Sequence, residues 1–283
     1  MRPAGSGIRW SPGSSYNISP MLLKKIVSRG AHKLGYEIRK RPASGLPVGE
    51  LAGITFSDFM FYYLSSQDLS DFVFIQIGAH NGVSNDWLYA FVRRFHLRGI
   101  LLEPQSCAFR ELQKNYKDCP QVVLENLAVA KESGTQKLFT VKKELDFLQY
   151  ANQAASFNYA HTNTQLARHL SNGAPREVRG KLRELKLQVA DCIEAETVPT
   201  CTFEALLGKH GLERYDLLQI DTEGFDYEII KMANIQKFKP RLINYEHEHL
   251  SERDQRECWG QLQGYGYHVF THNGDTTAYF QRD

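Results

Sequence analysis

The chain has 283 residues, a formal net charge of +2, and 42% hydrophobic and 23% charged residues. That is the balance of a globular protein long enough for one large α/β domain with additions. The small net charge excludes a global drive toward nucleic acid or acidic membranes, and no apolar run approaches the roughly 18 residues of a membrane span.

The cysteines Cys107, Cys119, Cys192, Cys201 and Cys258 include no C-x-x-C pair. An odd, scattered set fits reduced thiols in a cytoplasmic protein better than a disulfide framework, and no signal-peptide-like apolar core opens the sequence. Residues 1–20 are rich in Gly, Ser and Pro and read as an unstructured lead. Over 21–41, Leu22, Leu23, Ile26, Val27 and Leu34 form an apolar stripe among Lys24, Lys25, Arg29 and Lys33. Such a basic amphipathic segment packs on its own domain, or rests on a membrane or a partner. A linker at 43–47 separates this region, residues 1–47, from a domain expected over 48–283.

The aromatic-rich segment 56–64 is expected to be a helix covering one edge of a sheet. A short apolar run at 72–77, rich in β-branched and aromatic residues, is a buried strand. It ends in Gly78-Ala79-His80-Asn81-Gly82, after which Ser84-Asn85-Asp86 offers helix caps. The glycines leave no Cβ between the backbone and a ligand facing the following helix N-terminus. A helix at about 85–96 leads to a second strand, 99–103. Its terminal Glu103 lies about twenty residues beyond the glycines, where an acid meets ribose hydroxyls in a nucleotide-binding βαβ unit.

A helix at about 106–117 and a strand at 122–125 follow. The turn at 131–134 predicts a hairpin into 137–141. The polar stretch 142–183 interrupts the rhythm. It predicts a helix near 160–170 and a turn at 171–173, and an insertion of this length is commonly a lid or a binding element. Short strands at 185–189 and 196–198 are expected to pair, and Thr202 to cap a helix. The rhythm resumes with a strand at 215–220 ending in Asp221-Thr222-Glu223-Gly224, a helix, and a strand at 240–245 ending in Glu246-His247-Glu248-His249. A helix near 251–263 precedes a hairpin turning at Asn273-Gly274. Alternating strands and helices imply a parallel sheet with right-handed crossovers.

Four stretches stand in order between residues 70 and 280: Ile75-Gln76-Ile77-Gly78-Ala79-His80-Asn81-Gly82, Leu102-Glu103-Pro104, Glu125-Asn126-Leu127-Ala128-Val129, and Leu218-Gln219-Ile220-Asp221-Thr222-Glu223-Gly224-Phe225-Asp226. Together they resemble the FkbM family of S-adenosyl-L-methionine-dependent methyltransferases. The resemblance implies the class I methyltransferase fold: a mostly parallel seven-stranded Rossmann-like sheet, helices on both faces and a C-terminal antiparallel hairpin. It also implies S-adenosyl-L-methionine as cofactor, held by Gln76, Gly78, Ala79, Asn81, Gly82, Glu103, Asn126 and Asp221. Within that set Glu103 would accept both ribose hydroxyls, Asn126 would lie near the adenine edge, and Asp221 would meet the methionine amino group or the acceptor. Two departures stand out. The family often has an acid where Gln76 stands, and His80 replaces the middle glycine of the usual methyltransferase loop.

Methyl transfer from sulfur needs alignment of the acceptor and sometimes a base. The candidates are Asp221, Glu223, Glu246 and His247, with His247 and Asp221 the leading pair. Glu223 and Asp226 have a second reading, as caps of the helix after Gly224. In an extended segment His247 and His249 share one face, so the Glu-His-Glu-His run beside Asp221 would suit a divalent ion holding a diol. The other reading is solvated strand-end charge, and no metal is assigned. His161 and His169 either contact the acceptor or are exposed.

The expected reaction is O-methylation of a hydroxyl on a sugar-containing or other small natural product, a small-molecule or glycan acceptor lying under the insertion. A nicotinamide-dependent oxidoreductase fits the glycine turn and Glu103, but the chain lacks G-x-G-x-x-G and carries the terminal hairpin. A non-catalytic nucleoside-binding protein is the third reading. Nucleic acid is not an expected partner, because no strong basic surface signal is present.

Overall fold

The computed structural model describes residues 55–172 and 174–280. The expected lead, the basic segment at 21–41 and the linker at 43–47 lie outside the described residues. Thr55 opens helix α1 (Phe56–Ser65) with a capping box: its Oγ1 accepts from Asp58 N–H, and the Asp58 carboxylate accepts from Thr55 N–H. The α1 aromatics lie against the end of the sheet as expected. Phe56 stacks on His272 with centroids 3.8 Å apart, and Phe59 meets Phe270 edge-on at 5.2 Å.

Among the described residues the main sheet has seven strands: β1 (Val73–Ile77), β2 (Arg98–Leu102), β3 (Val122–Glu125), β7 (Leu217–Ile220), β8 (Leu242–Glu246), β9 (His268–His272) and β10 (Asp275–Tyr279). Their order is β3-β2-β1-β7-β8-β10-β9. β1 pairs in parallel with β2 and β7, and β7 with β8, whereas β10 is antiparallel to both β8 and β9. This is the seven-stranded class I methyltransferase arrangement with its C-terminal hairpin.

The strands read as unbroken apolar runs because both faces are covered. Phe74, Leu101 and Leu217 point to one face, against Met60, Leu64, Leu88 and Phe91. Ile75, Ile77, Leu218 and Ile220 point to the other, against Leu206, Tyr227, Ile230 and Leu262. The covering helices are α2 (Trp87–Phe95), capped by Asp86, and α3 (Ser106–Asn115). To them are added α6 (Phe203–Lys209), capped by Thr202 as expected, α7 (Asp226–Met232), α8 (Ile235–Phe238) and α9 (Glu252–Gly264).

The middle of the chain departs from expectation. The turn at 131–134 joins β4 (Ala128–Val129) to β5 (Gly134–Val141), but these two do not pair. Both pair with β6 (Ile193–Cys201), β4 in parallel and β5 antiparallel, in a second sheet of order β4-β6-β5. Residues 185–189 form no strand: Leu185 caps a helix, and Val189–Cys192 is a 3-10 turn.

Residues 142–184 form a helical layer with a core of its own. It comprises a 3-10 segment (Asp146–Ala154), α4 (Tyr159–Asn172) and α5 (Arg176–Glu184). Leu148, Leu166, Leu170 and Val178 bury together with Val141 and Ile193. The expected helix runs on through the position of the expected turn at 171–172. Its polar composition reflects burial of a single stripe per helix.

Candidate active site

A cavity of about 780 Å³ opens at the carboxyl ends of β1, β2, β7 and β8, with α4 along one side. Open α/β sheets bind ligands in this position, and the volume is in the range of small-molecule sites. At one end lies the glycine turn. Gly78 has φ +81°, and a Cβ there would stand 1.7 Å from the Asp221 carbonyl oxygen. Gly82 has φ +70°, and a Cβ would meet Leu112 Cδ1 at 2.4 Å. Both glycines therefore serve close packing of neighbouring protein segments, rather than clearing space for a ligand. Gly78 and Ala79 line the cavity; Gly82 does not.

Glu103, just past β2, is 3% exposed. One carboxylate oxygen accepts from His80 N–H at 2.7 Å and the other from Gln105 N–H at 2.7 Å. Burial nevertheless pushes its pKa up to about 7. Each oxygen keeps a second lone pair, so the carboxylate is held in place and can still accept two hydroxyls.

Gln76 ends the same wall. Its Nε2 donates to Asp86 Oδ2 at 2.9 Å, so the helix-capping Asp86 places a carboxylate beside the position where an acid was missing from β1. Burial raises the Asp86 pKa. Gln76 Oε1 and His80 Nδ1 are buried without a hydrogen-bond partner among the described residues. Unpartnered polar atoms beside a fixed carboxylate, in a cavity of this size, fit a nucleoside carrying a polar tail.

The opposite end is acidic. Asp221, Glu223, Glu246 and Asp275 all line the cavity. Burial, followed by mutual repulsion among Asp221, Glu223 and Asp226, raises the pKa values of Asp221 and Glu246 far above the carboxylate range. Asp226 does not cap α7. It lies inside the helix, fully buried, and accepts from Thr222 N–H and Oγ1–H and from Glu246 N–H. Glu223 is no cap either: its Oε2 lies 3.2 Å from His249 Nε2.

Of the expected site residues the structure brings Gln76, Gly78, Ala79, Glu103, Asp221, Glu223 and Glu246 to one cavity. Four others stand outside its lining. Asn81 makes a local turn, its Oδ1 accepting from Val83 and Ser84 N–H. Asn126 donates to the carbonyls of Glu103 and Pro104, and so braces the loop that holds Glu103. Gly82 packs on α3, as above. His247 is the fourth: its Nδ1 lies 3.0 Å from Thr276 Oγ1.

β8 stops at Glu246, so the strand alternation that paired His247 with His249 stops too. His249 takes the cavity position, its pKa lowered mainly by burial. The insertion helix α4 adds Gln165, Arg168 and His169 to the lining, and His161 lies beside Glu223 at 4.0 Å. Among the described residues, two sets of side chains have ligating atoms within 4.8 Å of one another, as a metal ion requires: His161, Glu223 and His249, and Asp221, Glu223 and Glu246.

A family model described as the methyltransferase FkbM domain matches residues 76–278. Nothing among the curated proteins matches. Among solved structures, the FkbM methyltransferase of Methylobacillus flagellatus KT is similar at 12% identity and a TM-score of 0.44, over 75% of this chain and 45% of that one. The chain thus spans less than half the length of that protein. A precorrin-6y C5,15-methyltransferase from Geobacter metallireducens GS-15 aligns at 12% identity and 0.39, over 81% and 92% of the two chains. The N-terminal domain of human METTL16, in complex with SAH, aligns at 11% and 0.36, over 95% and 85%.

Proposed function

This chain belongs to the FkbM methyltransferase family, and from that premise we propose that it is an S-adenosyl-L-methionine-dependent O-methyltransferase acting on a hydroxyl of a sugar-containing or other small natural product. The observation that carries the reading is the division of one cavity into a nucleoside end and an acidic end. Glu103, fixed by two backbone N–H groups, takes the ribose hydroxyls. Gln76 Oε1 and the Asp86 carboxylate take the ammonium of the amino-acid tail. The bound cofactor supplies an electrophilic methyl group on a sulfonium.

The protein's part is alignment and proton removal. Burial and mutual repulsion hold the pKa values of Asp221 and Glu246 well above the carboxylate range, so each is a strong base toward an acceptor hydroxyl once it has lost its own proton. As the acceptor oxygen gains its methyl group, its proton passes to one of them. Arg168 and His169 on α4 face the cavity from the acceptor side. Their position supports an acceptor lying against the insertion.

The nicotinamide reading shares the Glu103 end but gives no use to the acidic end. A non-catalytic nucleoside-binding role likewise leaves the raised carboxylates unexplained.

Titration calorimetry of the protein with S-adenosylmethionine, S-adenosylhomocysteine and NAD tests the cofactor. Micromolar binding of the two sulfur nucleosides is expected, and binding of NAD alone would overturn the reading. Transfer of a labelled methyl group to glycosides tests the chemistry. An ether product resists mild alkali, whereas an alkali-labile label would mean carboxyl rather than hydroxyl methylation.

A further inference from the structure

Three side chains from separate segments converge on the acidic end of the cavity. His161 comes from the first turn of α4, Glu223 from the loop after β7, and His249 from the turn after β8. Their ligating atoms lie within 4.8 Å of one another. His249 Nε2 is 3.2 Å, and His161 Nε2 4.0 Å, from Glu223 Oε2. The three side chains are 19%, 19% and 13% exposed for His161, Glu223 and His249, so each is mostly withdrawn from water.

We propose that His161, Glu223 and His249 bind a divalent transition-metal ion of the zinc or manganese class, whose open positions hold the acceptor oxygen. Two imidazoles and a carboxylate are a donor set that suits first-row metals, and three protein ligands with an open position are the catalytic pattern. Metal–donor bonds of about 2.1 Å in a tetrahedral site put the donors about 3.4 Å apart. The observed 3.2 and 4.0 Å straddle that value.

The 3.2 Å approach to Glu223 accounts for His249 alone. His161 Nε2 is too far from Glu223 for a hydrogen bond, yet it is buried with no hydrogen-bond partner among the described residues. Among the described residues Glu246 Oε2 is buried without a hydrogen-bond partner, and Glu246 Oε1 lies 3.5 Å from His249 Nε2.

The support around the triad fits the same purpose. Gln165 Nε2 lies 2.7 Å from His249 Nδ1. Turning the amide over would bring its oxygen to an Nδ1–H, fix the ring and leave the Nε2 lone pair free for a metal. Gly224, at φ +94°, makes room for the first histidine: a Cβ there would stand 3.2 Å from His161 Cε1. Crowded carboxylates at this end give a divalent charge a further reason to be there. Because α4 supplies one ligand and the main sheet's loops supply two, the ion would also tie the insertion to the cavity.

The test uses the full chain, stripped by a chelator and titrated with Zn²⁺ and with Mn²⁺ by calorimetry, with neither nucleoside nor acceptor present. Its failure therefore leaves the methyl-transfer reading standing, and failure to bind S-adenosylmethionine leaves this one standing. One ion per chain at micromolar or tighter affinity is expected. His161→Ala and His249→Ala should each weaken binding more than about 100-fold, and Gln165→Ala about tenfold. His247→Ala should leave it unchanged. The isosteric Glu223→Gln keeps the test decisive should a histidine variant unfold: the parent's Tm rises with metal and the variant's does not. No uptake by the parent, or parental affinity in the triad variants, overturns the proposal.

Discussion

Replacing Glu103 by Gln separates the cost of burying this carboxylate from its use. Burial raises the Glu103 pKa from 4.5 to about 7. The folded value is the higher one, so the folded protein keeps the proton where the unfolded chain has released it. Stability from this group is intact below about pH 4.5 and lost as the pH rises to about 7. At about 1.4 kcal/mol per pKa unit, the shift amounts to about 3 kcal/mol lost between roughly pH 4 and pH 8. Gln does not titrate, so the variant lacks this fall.

Against that gain, its NH₂ must face either the His80 or the Gln105 N–H, each now 2.7 Å from an oxygen. A buried N–H left without an acceptor costs about 1–3 kcal/mol. Near pH 8 the two effects offset, and the variant should be about as stable as the parent. Near pH 5 it should be less stable, by about 2 kcal/mol. Affinity for S-adenosylhomocysteine should fall by about tenfold to hundredfold, the loss of one charge-assisted hydrogen bond to the ribose. Urea unfolding at pH 5, 6.5 and 8, with calorimetric titration at pH 8, reads both quantities. A variant whose stability falls with pH as steeply as the parent's would refute the burial argument. Unchanged nucleoside affinity would refute the contact.

Two further substitutions probe the site. Gly78→Ala puts a Cβ against the Asp221 carbonyl in a left-handed backbone, which should cost about 2–5 kcal/mol in denaturant unfolding; an unperturbed variant would contradict the close approach. Glu246→Gln should lower kcat by about 10²- to 10⁴-fold and abolish the rise of activity with pH that a base with a raised pKa imposes. His247→Ala, outside the cavity lining, should leave kcat within about threefold of the parent; a loss as large as that of Glu246→Gln would return His247 to the mechanism.

The sequence by itself determined what local physics controls. Strands β1, β2, β7 and β8 are buried on both faces, so each is written as an apolar run bounded by turn residues. Asp86, Thr202 and Ser251 cap their helices by contacts within a few residues. Asn273-Gly274 turns β9 into β10, and Glu103 ends β2 at a fixed distance from the glycines.

The tertiary structure alone decided what depends on distant partners. β5 and β6 pair across the whole insertion, and nothing near either strand names the other. The polar stretch after β5 hides a core because α4 and α5 each bury one stripe. His247 and His249 exchange roles because the backbone leaves the strand at Glu246, where the N–H groups of His247 and Glu248 both turn onto the Gly274 carbonyl. Strand periodicity ends with the strand, and only the hairpin lying alongside fixes where that is. His161 reaches Glu223 from about sixty positions away, a meeting set by how the insertion packs and written in no local pattern.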